Sequence, residues 1–449
     1  MLAPYARDTI AAVATASGRG AVGIVRVSGP DAFFIAEKLT GRPLPPFRQA
    51  ALRSCLTENG VVLDQGLLLC FSGPQSFTGE DVVEFQGHGG QQAPLLVWKR
   101  FLELGARAAA PGEFSQRAYL NGRLDLAQAE AIADLIDAGS RQAALGAVRS
   151  LRGEFSEQVE ALRARLTAIR VQVEASVDFV EEDDVDEAAA ERMVGELKEI
   201  LGATRQLLRS AQQGVKLAQG AIVVLAGAPN VGKSSLLNRL AGEDRAIVTP
   251  VAGTTRDLLH TDLVVQGMPV QVIDTAGIRD TDDPVEREGV ARARRALANA
   301  DVALLLDTAE TPASDQLLVE LPASACLLKV RNKIDVSGES PGFDSARNIF
   351  AISALTGSGI DILVTEVIRR MGGPGTDETV FTARARQVRA LEQCLEALER
   401  AHSLAVHATG VELMAEELRQ AQEHLGSITG RISADQLLGE IFATFCIGK

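Results

Sequence analysis

The chain has 449 residues, too many for one ordinary domain; at roughly 150 residues per domain it should hold about three. Hydrophobic residues make up 46% and charged residues 23%, which excludes a disordered chain. With 45 basic and 59 acidic residues the net charge is −14, which excludes a general polyanion binder and confines any nucleic-acid contact to a local basic patch.

Residues 1–120 read as mixed α/β. Val22 to Val27 is strand-like and ends at the turn Ser28-Gly29-Pro30. Asp31 is placed to cap a helix through Leu39, and Val61 to Phe71 suggests a hairpin around Asp64-Gln65-Gly66. From about 123 to 218 the spacing is helical, as in Leu126, Ala129, Ala133 and Ile136. The acidic run 181–187 reads as a solvated turn between helices. At Ala221 the pattern changes to strands alternating with helices, up to Gly372-Gly373-Pro374-Gly375. Helical spacing then returns over 383–443, with Leu391, Leu395, Leu398 and Leu404 to Val406 on one face, continued by Leu413, Leu418 and Leu425.

The expected fold is therefore multidomain α/β plus α. Its parts are an α+β domain over 1–120, a split all-helical domain over 121–218 and 376–449, and an inserted α/β domain over 219–375. The five cysteines, at 55, 70, 326, 394 and 446, form no CxxC pair and are odd in number. That fits a reducing cytosol and argues against a disulfide framework or a structural zinc site. The start has no basic segment followed by an apolar run, and no apolar stretch approaches the ~20 residues of a membrane helix. A cytoplasmic protein without stable membrane insertion is expected.

The strongest chemical signal is Gly227-Ala228-Pro229-Asn230-Val231-Gly232-Lys233-Ser234, the GxxxxGK[ST] pattern, between a strand and a helix opened by Ser235. Such a loop wraps phosphates with backbone N–H groups and a helix N-terminus. Lys233 would neutralise the outer phosphates, and the Ser234 hydroxyl would ligate Mg²⁺. Asp274-Thr275-Ala276-Gly277 follows a strand, where Asp274 can reach Mg²⁺ through water and the Gly277 N–H can meet the γ-phosphate. Thr255, in Gly253-Thr254-Thr255-Arg256-Asp257, can close on the metal. Asn332-Lys333-Ile334-Asp335 also follows a strand, and the Asp335 carboxylate can accept two N–H bonds from guanine, a donor pair that adenine lacks. Ser353-Ala354-Leu355 would bring a backbone N–H to the guanine oxygen. These elements, in this order, specify a GTPase that binds GTP and GDP.

Ras-like GTPases follow DxxG with a Gln that orients water; here the position is Ile278. The residues alone leave Asp280, Asp282, Asp283, Glu286 and Glu288 open as replacements. Asn230 can ligate a monovalent cation or serve only the turn geometry.

Taken together the chain resembles the MnmE (TrmE) family of bacterial tRNA modification GTPases. Outside the α/β insert the resemblance rests on Gly23 to Gly29, Ser76-Phe77-Thr78-Gly79-Glu80-Asp81 and Gln86-Gly87-His88-Gly89-Gly90. It continues in Pro111 to Ser115, Leu124 to Ile132 and the terminal Phe445-Cys446-Ile447-Gly448-Lys449. The resemblance implies an N-terminal domain that dimerises and binds a one-carbon tetrahydrofolate (5-formyl or methylene) through Arg26, Glu84, Arg123 and Lys449. Position 123 is Arg where the family has Lys, and a guanidinium fork is not a point charge. The resemblance also implies K⁺ held by Asn230, Thr249, Val251 and Thr254 between paired G domains, supplying the charge an arginine finger gives elsewhere. Glu286 becomes the water-positioning acid, with Arg279 bridging to it. Cys446 is either a nucleophile or a structural thiol. The implied partners are a second copy of the chain, tRNA and the FAD-containing MnmG, in a heterotetramer or larger complex. The joint product is an aminomethyl or carboxymethylaminomethyl group on C5 of a wobble uridine.

Two other classes fit parts of the sequence. A ribosome-assembly GTPase shares the G motifs, but no GxxG loop beside a basic helix is present. A regulatory switch without its own chemistry would differ by not binding folate.

Overall fold

A computed structural model describes residues 8–178, 187–243, 260–274, 300–312, 326–371, 381–407 and 409–431, with 438, 441, 442, 445 and 448. Two compact units divide the chain: residues 1–133 with 425–449, and residues 134–424.

The first unit is built on a six-stranded sheet of order β3-β4-β5-β2-β1-β6. Its strands are β1 Ile10–Val13, β2 Val22–Ser28, β3 Ala51–Leu56, β4 Val62–Phe71, β5 Val82–His88 and β6 Arg107–Ala108. Alternation along β2 and β4 buries every second side chain, the pattern of a sheet packed on one face. That face packs against α1 (Ala32–Thr40) and α2 (Ala93–Glu103) through Val25, Val27, Leu68, Phe85, Ile35 and Phe101. Asp31 does stand at the N-cap of α1, but its side chain makes no capping bond. The expected hairpin at 64–66 is instead one continuous strand. The β3–β4 turn lies earlier, where the Thr57 N–H donates to Val61 O at 2.9 Å. Asp64 has a strand role: buried beneath Gly87, it accepts from the Gln65 and His88 N–H groups, at 2.8 and 2.9 Å.

The first unit is completed by α3 (Glu113–Leu120), the start of α4 (Leu126–Asp137) and the end of the chain. Phe442 and Phe445 pack with Leu126, Ala129 and Tyr119. Gly112 takes a left-handed φ of +64°, and a Cβ there would meet the Phe442 carbonyl and the Phe445 side chain.

The second unit has a helical part and a sheet part. The helices are α5 (Arg141–Leu151), α6 (Glu154–Asp178), α7 (Glu187–Gln219) and the helix Ala385–Val406, which packs along α7. Phe155 stacks on Phe381 at 4.7 Å, and the Ser150 hydroxyl donates to Thr382 O at 2.7 Å. These contacts join residues more than 200 apart in sequence and make one helical body of two segments. The expected helical stretch 383–443 is broken after Val406, and a separate helix runs over Val411–Thr429. The buried stripe of the first piece is Ala390, Leu391, Cys394, Ala397, Leu398 and Ala401, while Leu413 is exposed. Of the acidic run, residues 181–186 lie outside the described residues.

The seven-stranded sheet has the order β12-β13-β11-β10-β7-β9-β8. Its strands are β7 Ala221–Gly227, β8 His260–Val265, β9 Met268–Asp274, β10 Val302–Asp307, β11 Cys326–Arg331, β12 Gly342–Asp344 and β13 Ile349–Ala351. The inner strands pair in parallel; the two edge strands β8 and β12 are antiparallel. Val302 to Leu306 of β10 are all buried, as a central parallel strand covered on both faces requires. This is a P-loop G domain, with α8 (Lys233–Glu243) following β7.

Candidate functional site

The phosphate loop runs from the end of β7 into α8. Asn230 at φ +66° and Gly232 at φ +97° turn its backbone. Both sit in the left-handed region that lets successive N–H groups converge. Lys233 is buried, and its ammonium donates to Gly227 O and Ala228 O at 2.9 and 3.0 Å. Two of its three protons thus anchor it across the loop, and the third is available to a phosphate oxygen. Ser234 and Ser235 are exposed in the first turn of α8, where a hydroxyl suits an Mg²⁺–phosphate group. Asp274 ends β9 directly beside Leu225 of β7, so the strand order brings the DxxG start to the loop.

Asn332 does more than the sequence indicated. It is buried, its Nδ2 donates to Val231 O at 2.9 Å, and its Oδ1 accepts the Ala354 N–H at 3.0 Å. One amide therefore stitches the phosphate loop to the Ser353-Ala354-Leu355 loop. A Cβ on Gly232 would collide with the Asn332 Nδ2. Lys333 takes φ +64° and turns the chain so that the Asp335 Oδ1 accepts the Ser353 hydroxyl at 2.6 Å. The structure thus brings together Val231, Gly232, Lys233, Asn332, Lys333, Asp335, Ser353 and Ala354. Leu355 is on the same loop, with its side chain 76% exposed. Arg239, which the sequence did not single out, reaches this loop from α8. Thr249, Val251, Thr254, Thr255, Gly277, Arg279 and Glu286 lie outside the described residues.

A second group lies on the first unit's sheet. Arg26 of β2 faces Glu84 of β5 in register. The Arg26 Nε donates to Glu84 Oε1 at 2.9 Å, and Gln86 Nε2 donates to Glu84 Oε2 at 3.2 Å. The guanidinium also lies 5.3 Å from the Phe77 ring centroid and 5.8 Å from that of Phe114, within cation–π range. Arg123 is exposed and close to Gly79, on the loop that carries Phe77 and Thr78. Lys449 and Cys446 lie outside the described residues. Gln86, Phe77 and Phe114 were not singled out as ligand residues. No local spacing marks them, because strand pairing and loop packing bring them together.

The same unit contains a fully buried Arg117. It donates to Glu113 at 2.9 Å, Glu80 at 3.1 Å and the Asp8 carboxylate at 2.7 Å. Glu80 also accepts the Ser28 hydroxyl at 2.7 Å, and Ser28 meets Thr78 at 2.7 Å. Arg107 binds both Asp8 and Glu113. Burial alone would raise the Glu113 pKa, but hydrogen bonds from Arg107, the Ala110 N–H and Arg117 hold it below the usual carboxylate value. The Arg107 hydrogen bond likewise lowers Asp8. Burial pushes the Cys55 thiol up to about 12 and the Cys70 thiol to about 11, which removes both as thiolate nucleophiles.

Two families match the chain: the GTP-binding protein TrmE N-terminus over residues 9–123 and the MnmE helical domain over residues 126–446. The chain is 50% identical over 454 residues to the tRNA modification GTPase MnmE of Pseudomonas aeruginosa, with 99% of each chain covered. It is 48% identical over 446 residues to that of Methylococcus capsulatus, again with 99% of each covered. Among solved structures, an Era variant from Aquifex aeolicus bound to GDP.AlF4- is 27% identical over 39% of this chain and 66% of that one, with a TM-score of 0.26.

Proposed function

Because the chain belongs to the MnmE family of tRNA modification GTPases, we propose that its GTP hydrolysis is K⁺-dependent and serves modification of a wobble uridine at C5. The reading assigns it an FAD-containing partner, MnmG, in a heterotetramer or larger complex, and a cytoplasmic setting. The chain itself is a homodimer in this reading, and paired G domains drive hydrolysis. The group installed is an aminomethyl or carboxymethylaminomethyl group, with a 5-formyl- or methylene-tetrahydrofolate as one-carbon cofactor.

The observation that carries the reading is the coupling of loop and base motif through Asn332. It supports one nucleotide gripped at both ends, with Asp335 selecting guanine. Lys233 orients the phosphates, and the loop backbone is shaped to stabilise charge that develops on them. Ser234 and Thr255 would hold Mg²⁺, which offsets phosphate charge when bound. Asn230, at a left-handed φ of +66° within the phosphate loop, is assigned the monovalent cation through its side-chain oxygen; Thr249, Val251 and Thr254 would complete that site. Glu286 is assigned to position the attacking water, with Arg279 bridging to it. No role in the reaction is assigned to Cys446 beyond the two alternatives of nucleophile and structural thiol.

The Arg26–Glu84 pair supports the folate reading on its chemistry. A pterin presents the same amino-pyrimidinone donors as guanine, and a carboxylate has about four acceptor positions. Arg26 takes two of those on Glu84 Oε1, through Nε and Nη2, and Gln86 takes one on Oε2, so one acceptor position remains on Oε2. Arg123 and Lys449 would meet the acidic tail.

The test is GTP turnover in KCl against NaCl, for the parent and for Glu286→Ala. The expected loss in Na⁺ is a large part of the roughly 10³ to 10⁵ that an arginine finger supplies. Glu286→Ala should keep nucleotide affinity and lose on the order of 10²-fold or more in kcat. Equal turnover in the two salts contradicts the cation role, and full turnover in the variant moves the water-positioning role to Asp282 or Asp283.

A further inference from the structure

We propose that Arg239 is a positioning residue for guanine recognition: held across two carbonyls of the base loop, it aims the Leu355 N–H at the oxygen of the guanine ring. The proposal rests on the assignment of Asp335 to the opposite edge of the base.

Arg239 belongs to α8, the helix that starts at the phosphate loop. Its Nε donates to Ala354 O at 3.2 Å, and its Nη2 donates to Leu355 O. A guanidinium offers five donors in a rigid plane and can hold two carbonyls at once. The loop it grips carries three successive N–H groups. That of Ala354 goes to Asn332 Oδ1 at 3.0 Å, and that of Thr356 goes to Ser353 Oγ at 3.1 Å. Each N–H has one proton, so both are committed. Among the described residues nothing accepts the Leu355 N–H.

The orientation of that remaining donor follows from the peptide plane. The Ala354 carbonyl and the Leu355 N–H belong to one peptide unit. A trans, planar peptide points its C=O and N–H in opposite directions. Arg239 draws the carbonyl towards α8, so the N–H points away from α8. The neighbouring peptide is fixed as well, because Asn332 holds the Ala354 N–H and is itself tied to Val231 O. Asp335 is tied to the same loop through Ser353. Donor and acceptor for the two edges of one ring are thus set in a single frame, and Arg239 is the part of it that comes from the phosphate side.

The plain alternative is that Arg239 only braces the loop. That would affect every nucleotide alike, whereas a positioned donor affects only a nucleotide with an oxygen to receive it. The experiment measures dissociation constants of GDP and 6-thio-GDP for the parent, Arg239→Ala and Arg239→Lys. The thio analogue keeps both N–H groups for Asp335 and replaces the oxygen by a weak acceptor. The parent should prefer GDP. Arg239→Ala, which places the best helix former in the helix, should reduce that preference by about threefold to tenfold, the worth of one neutral hydrogen bond. Arg239→Lys, able to hold one carbonyl, should fall between the two. If Arg239→Ala weakens both nucleotides by the same factor, or neither, the proposal is wrong. Asp335→Asn, measured against GDP and xanthosine diphosphate, is the separate control: no change of preference there overturns the base assignment on which the proposal rests.

Discussion

The nucleotide site of this chain and the site proposed for folate are built on opposite plans. The nucleotide site of the second unit is made mostly of backbone: loop N–H groups, two left-handed residues and a lysine anchored on its own loop carbonyls. Its parts are short consecutive motifs, brought into line because parallel strands end on one edge. The candidate folate site of the first unit is made of side chains. Arg26 and Glu84, 58 residues apart, meet only because β2 and β5 pair. The same unit carries a second charged network, in which Arg117 pairs with Asp8, Glu80 and Glu113. A backbone site is therefore sensitive to added bulk, and a side-chain site is sensitive to lost charge.

The largest effect should come from adding bulk in the phosphate loop. Gly232→Ala puts a Cβ on the Asn332 amide at a φ of +97°. The strain and the lost stitch together should weaken GDP and GTP on the order of 10²-fold or more. Equilibrium titration with a fluorescent GDP would show it, while the first unit's folate affinity should not move. Tight GDP binding by this variant would mean that the loop tolerates bulk and the contrast fails.

Next in size is the loss of a buried charge from the first unit. Arg117→Ala leaves Glu80, Glu113 and Asp8 around a buried position. Removing one partner from a buried ionic group costs about 3–5 kcal/mol, to be read from the urea midpoint of the transition reported by the single Trp98. A shift below about 1 kcal/mol would show that water or rearrangement relieves the network.

A smaller effect is the acid response of that network. Asp8 and Glu113 have folded-state pKa values below their ordinary ones. Their contribution is therefore fully present above the unfolded carboxylate values near pH ~4 and is lost as pH falls through the lowered folded values. Glu113→Gln should flatten the fall of stability with acid in that range, and an unchanged slope would separate the network from the acid response.

The same contrast explains how much could be read in advance. Gly227 to Ser234 and Asn332 to Asp335 were legible because each motif's spacing fixes its own local geometry. Asn332's bond to Val231 was not legible, since it spans 101 residues and depends on where β11 ends relative to β7. Arg239 left no signal because a helix surface arginine is ordinary until its partners are known. On the first unit, the strand Val22–Ser28 was readable from its Val- and Ile-rich run and the Ser28-Gly29-Pro30 turn that ends it, but Asp64 misled, because a turn-forming residue was used inside a strand to hold His88. In the C-terminal helices the heptad-like leucines suggested one face. Leu391 and Leu398 do lie in the buried stripe of the helix that packs along α7, but Ala390, Cys394, Ala397 and Ala401 complete it, small side chains that a pattern of leucines does not mark.

The central claim is that the two sites bind different ligands by these different means. The most direct measurement is calorimetric titration of Arg26→Ala with 5-formyl-tetrahydrofolate and, on the same preparation, with GDP. Loss of a charge-assisted contact should lower folate affinity at least about tenfold with GDP affinity unchanged. Folate affinity equal to the parent's would contradict the account.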